Sequence, residues 1–452
     1  VSGPTLYTAD WVLPIASAPI PQGAVLVRGA QIEWVGPASA SPVGSDIRHV
    51  PLGAAALLPG LVNAHSHLEL TTLRGYLEGF AFRDWLVTLT RVRRDVLTPD
   101  DLLDASRLGI VEALAHGITT LADTTDSAAP LAAMRELGVR GVGYVEVFGP
   151  DPAQRDGSMA RLRERVEALR AHDTALVRTG ISPHAPYTVS APLFRAAAEY
   201  ARSEALPMAV HIAESAAEVA FVVQGAGPFA DGLRARGIAV APQARSPIAL
   251  LDACGVLEAR PLLIHAIRTD EEDLARIADA GATIVHCPVS NAKLGHAIAP
   301  LERMLAHGIA TGLGSDSVAS NNRMHLLEEA RQACLFHALR SGEPDSLHPA
   351  RALELATVGG ARALGLDALI GKLEVGKQAD LAAFPLAQPW APAVFDPTVT
   401  LVHALGGSAR ASLVTVAGKE LVRDGMVLGV NSGLVARVEA VSGRLRNDNS
   451  RR

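Results

Sequence analysis

Ala306-His307-Gly308-Ile309-Ala310-Thr311-Gly312-Leu313-Gly314-Ser315-Asp316 is the stretch that decides the fold. A helical segment ends at Gly308, a short apolar run follows, and a polar residue stands where the run stops. Glycine suits the left-handed residue after a helix, and β-branched residues suit a buried parallel strand. The unit recurs as Ala115-His116-Gly117-Ile118-Thr119-Thr120-Leu121-Ala122-Asp123 and as Asp279-Ala280-Gly281-Ala282-Thr283-Ile284-Val285-His286. Looser copies run through Leu137-Gly138 into Val142–Phe148, through Pro207 into Val210-His211, and through Arg260-Pro261 into Ile264-His265. Roughly six to eight such units over about 300 residues fit a closed (β/α)8 TIM barrel. An open doubly wound sheet is the alternative, and the lack of a glycine-rich phosphate fingerprint after the first strand counts against it.

The flanks read differently. Residues 1–56 hold short apolar runs broken by Gly, such as Gly23–Gly29 and Gln31–Gly36, and the pattern returns from Gly371 through Phe384, Leu413–Val416 and Glu420–Val422. Such runs suit antiparallel strands. The expected organisation is a composite β-sandwich from residues 1–56 and 367–443, a barrel over 57–366, and a frayed polar tail over 444–452.

Composition removes several function classes. The 452 residues carry a net charge of −6, which argues against a nucleic-acid binder because no general excess of basic charge is present to replace phosphate counterions. No apolar run reaches the roughly 18–20 residues that span a bilayer, and the start of the chain lacks the basic and apolar segments of a signal peptide. Cys254, Cys287 and Cys334 are an odd, widely spaced three, which favours a reducing compartment. A cytoplasmic protein is expected, with a small-molecule substrate and no membrane partner.

The chemistry gathers at the strand ends. Pro59-Gly60-Leu61-Val62-Asn63-Ala64-His65-Ser66-His67 closes an apolar run with two histidines two apart, which in a strand point to one face. His184, His211, His265 and His286 stand at other strand ends, and Asp316 closes the last clear one. In a barrel these ends meet on one rim, where active sites lie. Imidazoles with a carboxylate suit zinc or ferrous iron, and the absence of a Cys pair argues against a structural zinc site. Glu214 lies three residues beyond His211, which resembles the division of labour in other metallohydrolases, where a Glu moves protons without binding the ion. His286 reads as structural, and His116, His307, His325 and His337 read as helix-end or surface residues.

These pieces carry a resemblance. Pro59 to His67, His211 to Glu214, His265, His286-Cys287-Pro288-Val289-Ser290-Asn291, Gly314 to Ser317 and Gly371 to Leu381 resemble the amidohydrolase superfamily. The branch is that of cytosine, guanine and adenosine-type deaminases and s-triazine hydrolases. The resemblance implies His65, His67, His211 and Asp316 as ligands of one divalent metal, zinc first and iron the alternative. It implies Glu214 as proton shuttle, with His265 and Asp316 holding the attacking water. Two-metal members bridge their ions with a carboxylated Lys at strand four. The only lysines here are 293, 372, 377 and 419, none in that place, so one metal is expected. The paired-Cys signature of the nucleotide deaminases is absent.

Leu68-Glu69-Leu70, Arg74 and Phe82-Arg83-Asp84-Trp85 resemble the aminodeoxyfutalosine deaminases of menaquinone synthesis. The resemblance places Glu69, Arg74, Trp85 and His184 against the substrate. The preferred expectation is therefore deamination of a 6-aminopurine nucleoside, aminodeoxyfutalosine first. The alternatives are S-adenosylhomocysteine, methylthioadenosine, adenosine or guanine deamination; hydrolysis of a triazine or cyclic amide; and an inactive barrel serving assembly. The Phe82–Trp85 helix is a candidate homodimer contact.

Overall fold

Two four-stranded parallel sheets meet edge to edge in the middle of the chain. Leu61–Ser66, Ile118–Thr125, Arg140–Val147 and Val177–Pro183 make the first; Ala209–Ile212, Leu262–His265, Thr283–His286 and Thr311–Leu313 make the second. Parallel bridges Ile181↔Met208 and Ser66↔Asp316 join them at both edges. The Ile181 amide donates to Pro207 O at 2.9 Å and the Asp316 amide to His65 O at 3.0 Å. The ring so closed is the predicted (β/α)8 barrel. This computed structural model describes residues 3–15, 17–389 and 393–449.

Period-two alternation sorts the strand residues. Val142, Tyr144, Ala209 and Leu262 fill the barrel interior with Val62, Ala64 and Val285. Val145, Val147, Val210 and Leu263 face the surrounding helices and pack with Phe194, Ile248 and Leu274. Both faces are covered, which is why the strands read as nearly continuous apolar runs. All eight residues of Ile118–Thr125 are buried.

The two chain ends share one sheet. Ala55–Pro59 pairs antiparallel with Leu381–Pro385, Leu58 opposite Ala382, and parallel with Thr5–Val12. The expected sandwich is thus one nine-stranded sheet, continuous from the N-terminal strands to Met426–Val427. Its faces separate by alternation: Leu57, Leu381 and Ala383 pack with Tyr7, Val25 and Leu413. Ala56, Leu58, Ala382 and Phe384 join Ile118 and Leu121 in a core common to sheet and barrel. The expected boundary at 56/57 falls inside the strand Ala55–Pro59.

Two features weld the parts. Gly117 sits at φ +78°, where a Cβ would lie 2.3 Å from Phe384 Cζ, so only glycine lets the sheet approach this helix end. Arg140, on the third barrel strand, pairs with Asp380, Nε–Oδ2 2.8 Å and Nη2–Oδ1 3.1 Å, and both side chains are nearly fully buried.

The C-terminal end differs from expectation, which puts residues 434–443 in the sandwich and 444–449 in a frayed tail. Leu434–Asn449 is a helix lying on the helix Pro99–Ala115, held by Arg437 on Asp104 and Arg444 on Asp101. Val441 and Leu445 enter an apolar cluster with Leu70 and Leu73. Apolar residues spaced four apart in an otherwise charged segment give the helix its buried stripe; residues 450–452 lie outside the described residues. Among the described residues no helix is long and apolar enough to cross a membrane.

Removing one member of a buried ion pair leaves the other uncompensated, at about 3–5 kcal/mol. Arg140→Ala should therefore lower the unfolding free energy in urea by that order, seen as a lower midpoint. Arg28→Ala, which breaks the exposed pair with Glu33, should cost less than about 1 kcal/mol. Equal effects would mean that the Arg140 pair does not couple sheet to barrel.

Candidate active site

Each barrel strand delivers its polar residue to the same rim. His65 lies near the end of the first strand and His67 just after it, His184 follows the fourth, and His211 and His265 lie at the ends of the fifth and sixth. Asp316 follows the eighth. His211 continues the inward alternation from Ala209. His265 and Asp316 instead take φ of +74° and +57°, with Ala213 at +52° and Ala266 at +46° beside them. Left-handed backbone at non-glycine residues costs of order 1–3 kcal/mol each and gathers at functional sites.

Neighbouring groups hold these turns. Asn63 Nδ2 donates to Ser315 Oγ at 2.8 Å and its Oδ1 accepts the Ser315 amide at 2.9 Å, tying strand one to strand eight beneath the histidines. Asp123 Oδ2 accepts from Ser66 Oγ at 2.9 Å and the Leu68 amide at 2.6 Å, fixing the loop around His67. Glu218 accepts the Ala213 and Glu214 amides at 2.7 and 2.8 Å. Burial pushes the Glu218 carboxyl up to about 8.

The donor atoms converge. Those of His65, His67 and His211 lie within 4.8 Å of one another, as do those of His65, His265 and Asp316. Asp316 Oδ1 is 3.2 Å from His65 Nε2 and 3.5 Å from His67 Nε2. Asp316 Oδ2 accepts from Ser290 Oγ in a short hydrogen bond and from Ser320 Oγ at 3.1 Å. The buried Nδ1 of His211 has no hydrogen-bond partner among the described residues.

Electrostatics favour a cation here. Burial lowers the imidazoles, His67 to about 3, His184 to about 4 and His211 well below the usual range, so they present lone pairs at neutral pH. Burial alone would raise the Asp316 carboxyl, but the hydrogen bond and charge of His65, with His265 and His67, hold it well below its ordinary value. Neutral imidazoles with one ionised carboxylate are the donor set of a divalent ion of the zinc type. The residues fit one such ion.

Beside this set lies Glu214, buried, with Oε1 3.5 Å from His265 Nε2 and 3.4 Å from His296 Nε2. Burial would raise its carboxyl, but His265 and His296 bring it below the usual value. His265 Nδ1 lies 2.9 Å from Asn291 Oδ1, which fixes the ring. Phe82 packs edge-on against His296 at 4.5 Å.

The remaining expected residues divide. His184 joins the cluster, its ring 4.8 Å from that of His211. Glu69 is near but engaged: Arg93 Nη2 is 2.9 Å from Oε1, Thr125 Oγ1 donates to Oε2 at 3.0 Å, and Ser127 Oγ also donates to Oε2. Arg74 does not reach the cluster; it binds Glu112 and the Asn322 carbonyl. Trp85, only 6% exposed, packs with Leu73, Leu77 and Val441 beneath the C-terminal helix and stacks on Phe82 with ring centroids 6.5 Å apart. His286 is buried with neither ring nitrogen hydrogen-bonded among the described residues.

Sequence reasoning missed His296, Phe82 as the aromatic at the site, and Glu146. His296 follows the helix Pro288–Lys293 in a loop with no strand-end signal. Glu146 had a signal, a polar residue near the end of a recognised strand. The stretch 221–246 contains the ends of two helices, Ala216–Gln224 and Pro228–Arg234, whose Phe229 stacks on Tyr187 at 4.0 Å.

Two outcomes test the site. Asp316→Asn should abolish retention of the ion, and Ser290→Ala should weaken it about 10–100-fold in chelator competition, since groups supporting a ligand tune its affinity. Unchanged retention in both would remove Asp316 from the donor set. For the metal-free protein, imidazoles held near 3–4 in the fold but near 6.5 when unfolded mean that the unfolded chain binds more protons in acid. Stability should fall as pH drops below about 6.5 toward about 4, and more gently in His184→Gln; an equal slope would put His184 outside the effect.

Comparison with known proteins agrees with this geometry. Residues 56–431 match the model of the amidohydrolase family. The chain is 32% identical over 421 residues to a 5-methylthioadenosine/S-adenosylhomocysteine deaminase of Moorella thermoacetica, covering 92% of this chain and 93% of the relative. A counterpart from Desulforudis audaxviator is 31% identical over 430 residues, covering 94% and 95%. Among solved structures, an adenosine deaminase from Xanthomonas campestris with bound zinc superposes with a TM-score of 0.86, at 30% identity over 98% of both chains. An atrazine chlorohydrolase from Arthrobacter aurescens with zinc gives 0.82 at 26% identity, covering 97% and 100%. Fold, metal-binding residues and relatives together establish that the chain belongs to the amidohydrolase family, as a metal-dependent enzyme acting on C–N bonds.

Proposed function

We propose that the chain deaminates a 6-aminopurine nucleoside of the adenosine, 5′-methylthioadenosine or S-adenosylhomocysteine type. The observation that carries this is Glu214, a buried carboxylate set between His265 and His296 at the edge of the metal-binding group. The relatives named as methylthioadenosine/S-adenosylhomocysteine deaminases support the same substrate class. They replace aminodeoxyfutalosine as the first expectation.

His65, His67, His211 and Asp316 would hold the ion, which supplies Lewis acidity that brings the pKa of a water toward about 7. The residues then divide the work. Asp316 and His265 orient the attacking water toward C6 of the purine. Glu214, held as a carboxylate, takes one proton from that water and delivers it to the adjacent ring nitrogen N1 as the oxygen adds to C6. The proton left on the added hydroxyl passes to the exocyclic amine, the C6–N bond breaks as the C6 carbonyl forms, and ammonia leaves with the inosine-type product. Asn291 keeps His265 in one orientation through its 2.9 Å contact.

General acid–base catalysis typically contributes about 10²–10⁴-fold. Glu214→Gln should therefore lower kcat by at least about 10²-fold with metal content unchanged. The measurement is loss of the adenine ultraviolet band with ammonia release from adenosine, methylthioadenosine and S-adenosylhomocysteine. No turnover of any of them by protein holding one ion per chain would sink the reading. Turnover of a chlorotriazine by the same protein would then favour the activity named for the Arthrobacter structure.

A further inference from the structure

Three carboxylates stand at the rim above barrel strands two and three, and two of them are matched by cations. Glu69 has Arg93 at 2.9 Å. Asp126 has Arg93 at 2.6 Å and Arg165 at 3.3 Å. Glu146 is different. It is 7% exposed, and its Oε1 accepts no hydrogen bond among the described residues. Its neighbour across the gap is His184 Nε2, 4.0 Å away.

The tautomer of His184 makes this gap informative. Thr188 Oγ1 lies 2.8 Å from His184 Nδ1 and 3.1 Å from the Ala185 carbonyl. A hydroxyl has one proton; given to Ala185 O, it leaves Thr188 accepting from His184 Nδ1–H. His184 Nε2 then carries a lone pair. With that tautomer, Nε2 and Glu146 Oε1 face each other across 4.0 Å with no hydrogen bond between them, in a place where burial pushes the Glu146 carboxyl well above the usual carboxylate range. Burying an acceptor without a donor costs of order 1–3 kcal/mol, so a donor from outside the chain belongs there.

The place is shaped for a substrate. Glu146 follows Tyr144 on the inward face of strand three, and its carboxylate lies within 4.8 Å of ligand atoms of both His184 and His211. On its other side opens a cavity of about 150 Å³ lined by Asp126, Phe148, Ser158, Arg161 and Arg165. A group bound between Glu146 and His184 thus touches the metal-binding imidazoles on one side and the cavity on the other.

We infer that Glu146, with His184, takes the hydroxyl groups of the substrate's sugar. A sugar hydroxyl can bond to both Glu146 and His184 Nε2, and Glu146 is the one carboxylate of the three not paired with an arginine among the described residues. The inference rests on the nucleoside reading above. A second metal ion held by Glu146, His184 and His211 is the competing occupant, and metal analysis separates the two.

The test compares zinc-loaded wild type, Glu146→Gln and Glu146→Met on adenosine, 2′-deoxyadenosine and 3′-deoxyadenosine, with metal content measured for each protein. Wild type should favour adenosine by about tenfold or more in kcat/KM over at least one deoxy analogue, the scale of one hydrogen bond to a charged group. Glu146→Met should lose at least about tenfold more on adenosine than on that analogue, and Glu146→Gln, which keeps one acceptor, an intermediate amount. All three should hold one ion per chain. Equal losses on all substrates, no hydroxyl preference in wild type, or a second ion that disappears in the variants would each overturn the inference while leaving the deaminase reading intact. Failure of wild type to deaminate any nucleoside would overturn both. Should Glu146→Met fold poorly, the Gln variant and calorimetric binding of inosine against 2′- and 3′-deoxyinosine give the same comparison.

Discussion

The barrel closes on the hydrogen bond from the Asp316 amide to the His65 carbonyl, and the site depends on that closure. His65 and Asp316 are 251 positions apart in the chain, yet Nε2 and Oδ1 end 3.2 Å from each other. Below them the Asn63–Ser315 pair repeats the join with side chains. A shift of one residue between strands one and eight would break both contacts and turn the carboxylate away from the imidazoles. Barrel closure and assembly of the donor set are the same event.

Local backbone then aims what closure brings near. Regular strand alternation places His211 and Glu146 inward. The left-handed residues at Ala213, His265, Ala266 and Asp316 do the rest. Glu218 offsets part of that strain by binding two amides of the turn that carries Glu214. The burial that makes the histidines good ligands also makes them costly to protonate. A site of this kind trades resistance to acid for readiness to take a cation.

Much of this was legible in the sequence, for reasons that can be named. Glycine before a β-branched run marks the barrel unit because helix ends and buried strands constrain residue type strongly. The histidines were legible because strand ends of a barrel share one rim. The substrate pocket was not. Glu69 and Arg74 look equally available in the sequence, yet each is engaged by partners from other segments, Arg93 and Thr125 in one case, Glu112 and Asn322 in the other. Trp85 is covered by a helix some 350 positions later, whose residues up to 443 read as part of the sandwich and whose last turns read as a polar tail. His296 and the unpaired state of Glu146 depend on side-chain partners, which no local pattern encodes.

The shared sheet has a consequence for synthesis. Ala55–Pro59 finds its antiparallel partner only in Leu381–Pro385. At about 5–20 residues per second, a ribosome takes roughly 15–65 s to deliver the second strand after the first. Throughout that interval Ala55–Pro59, five consecutive apolar residues, has one open edge, and such edges invite pairing with other chains. The first barrel strand follows it after a single residue. The nascent chain is therefore most exposed to aggregation while its barrel is still growing, and the C-terminal strands act last, as the cover that ends that exposure.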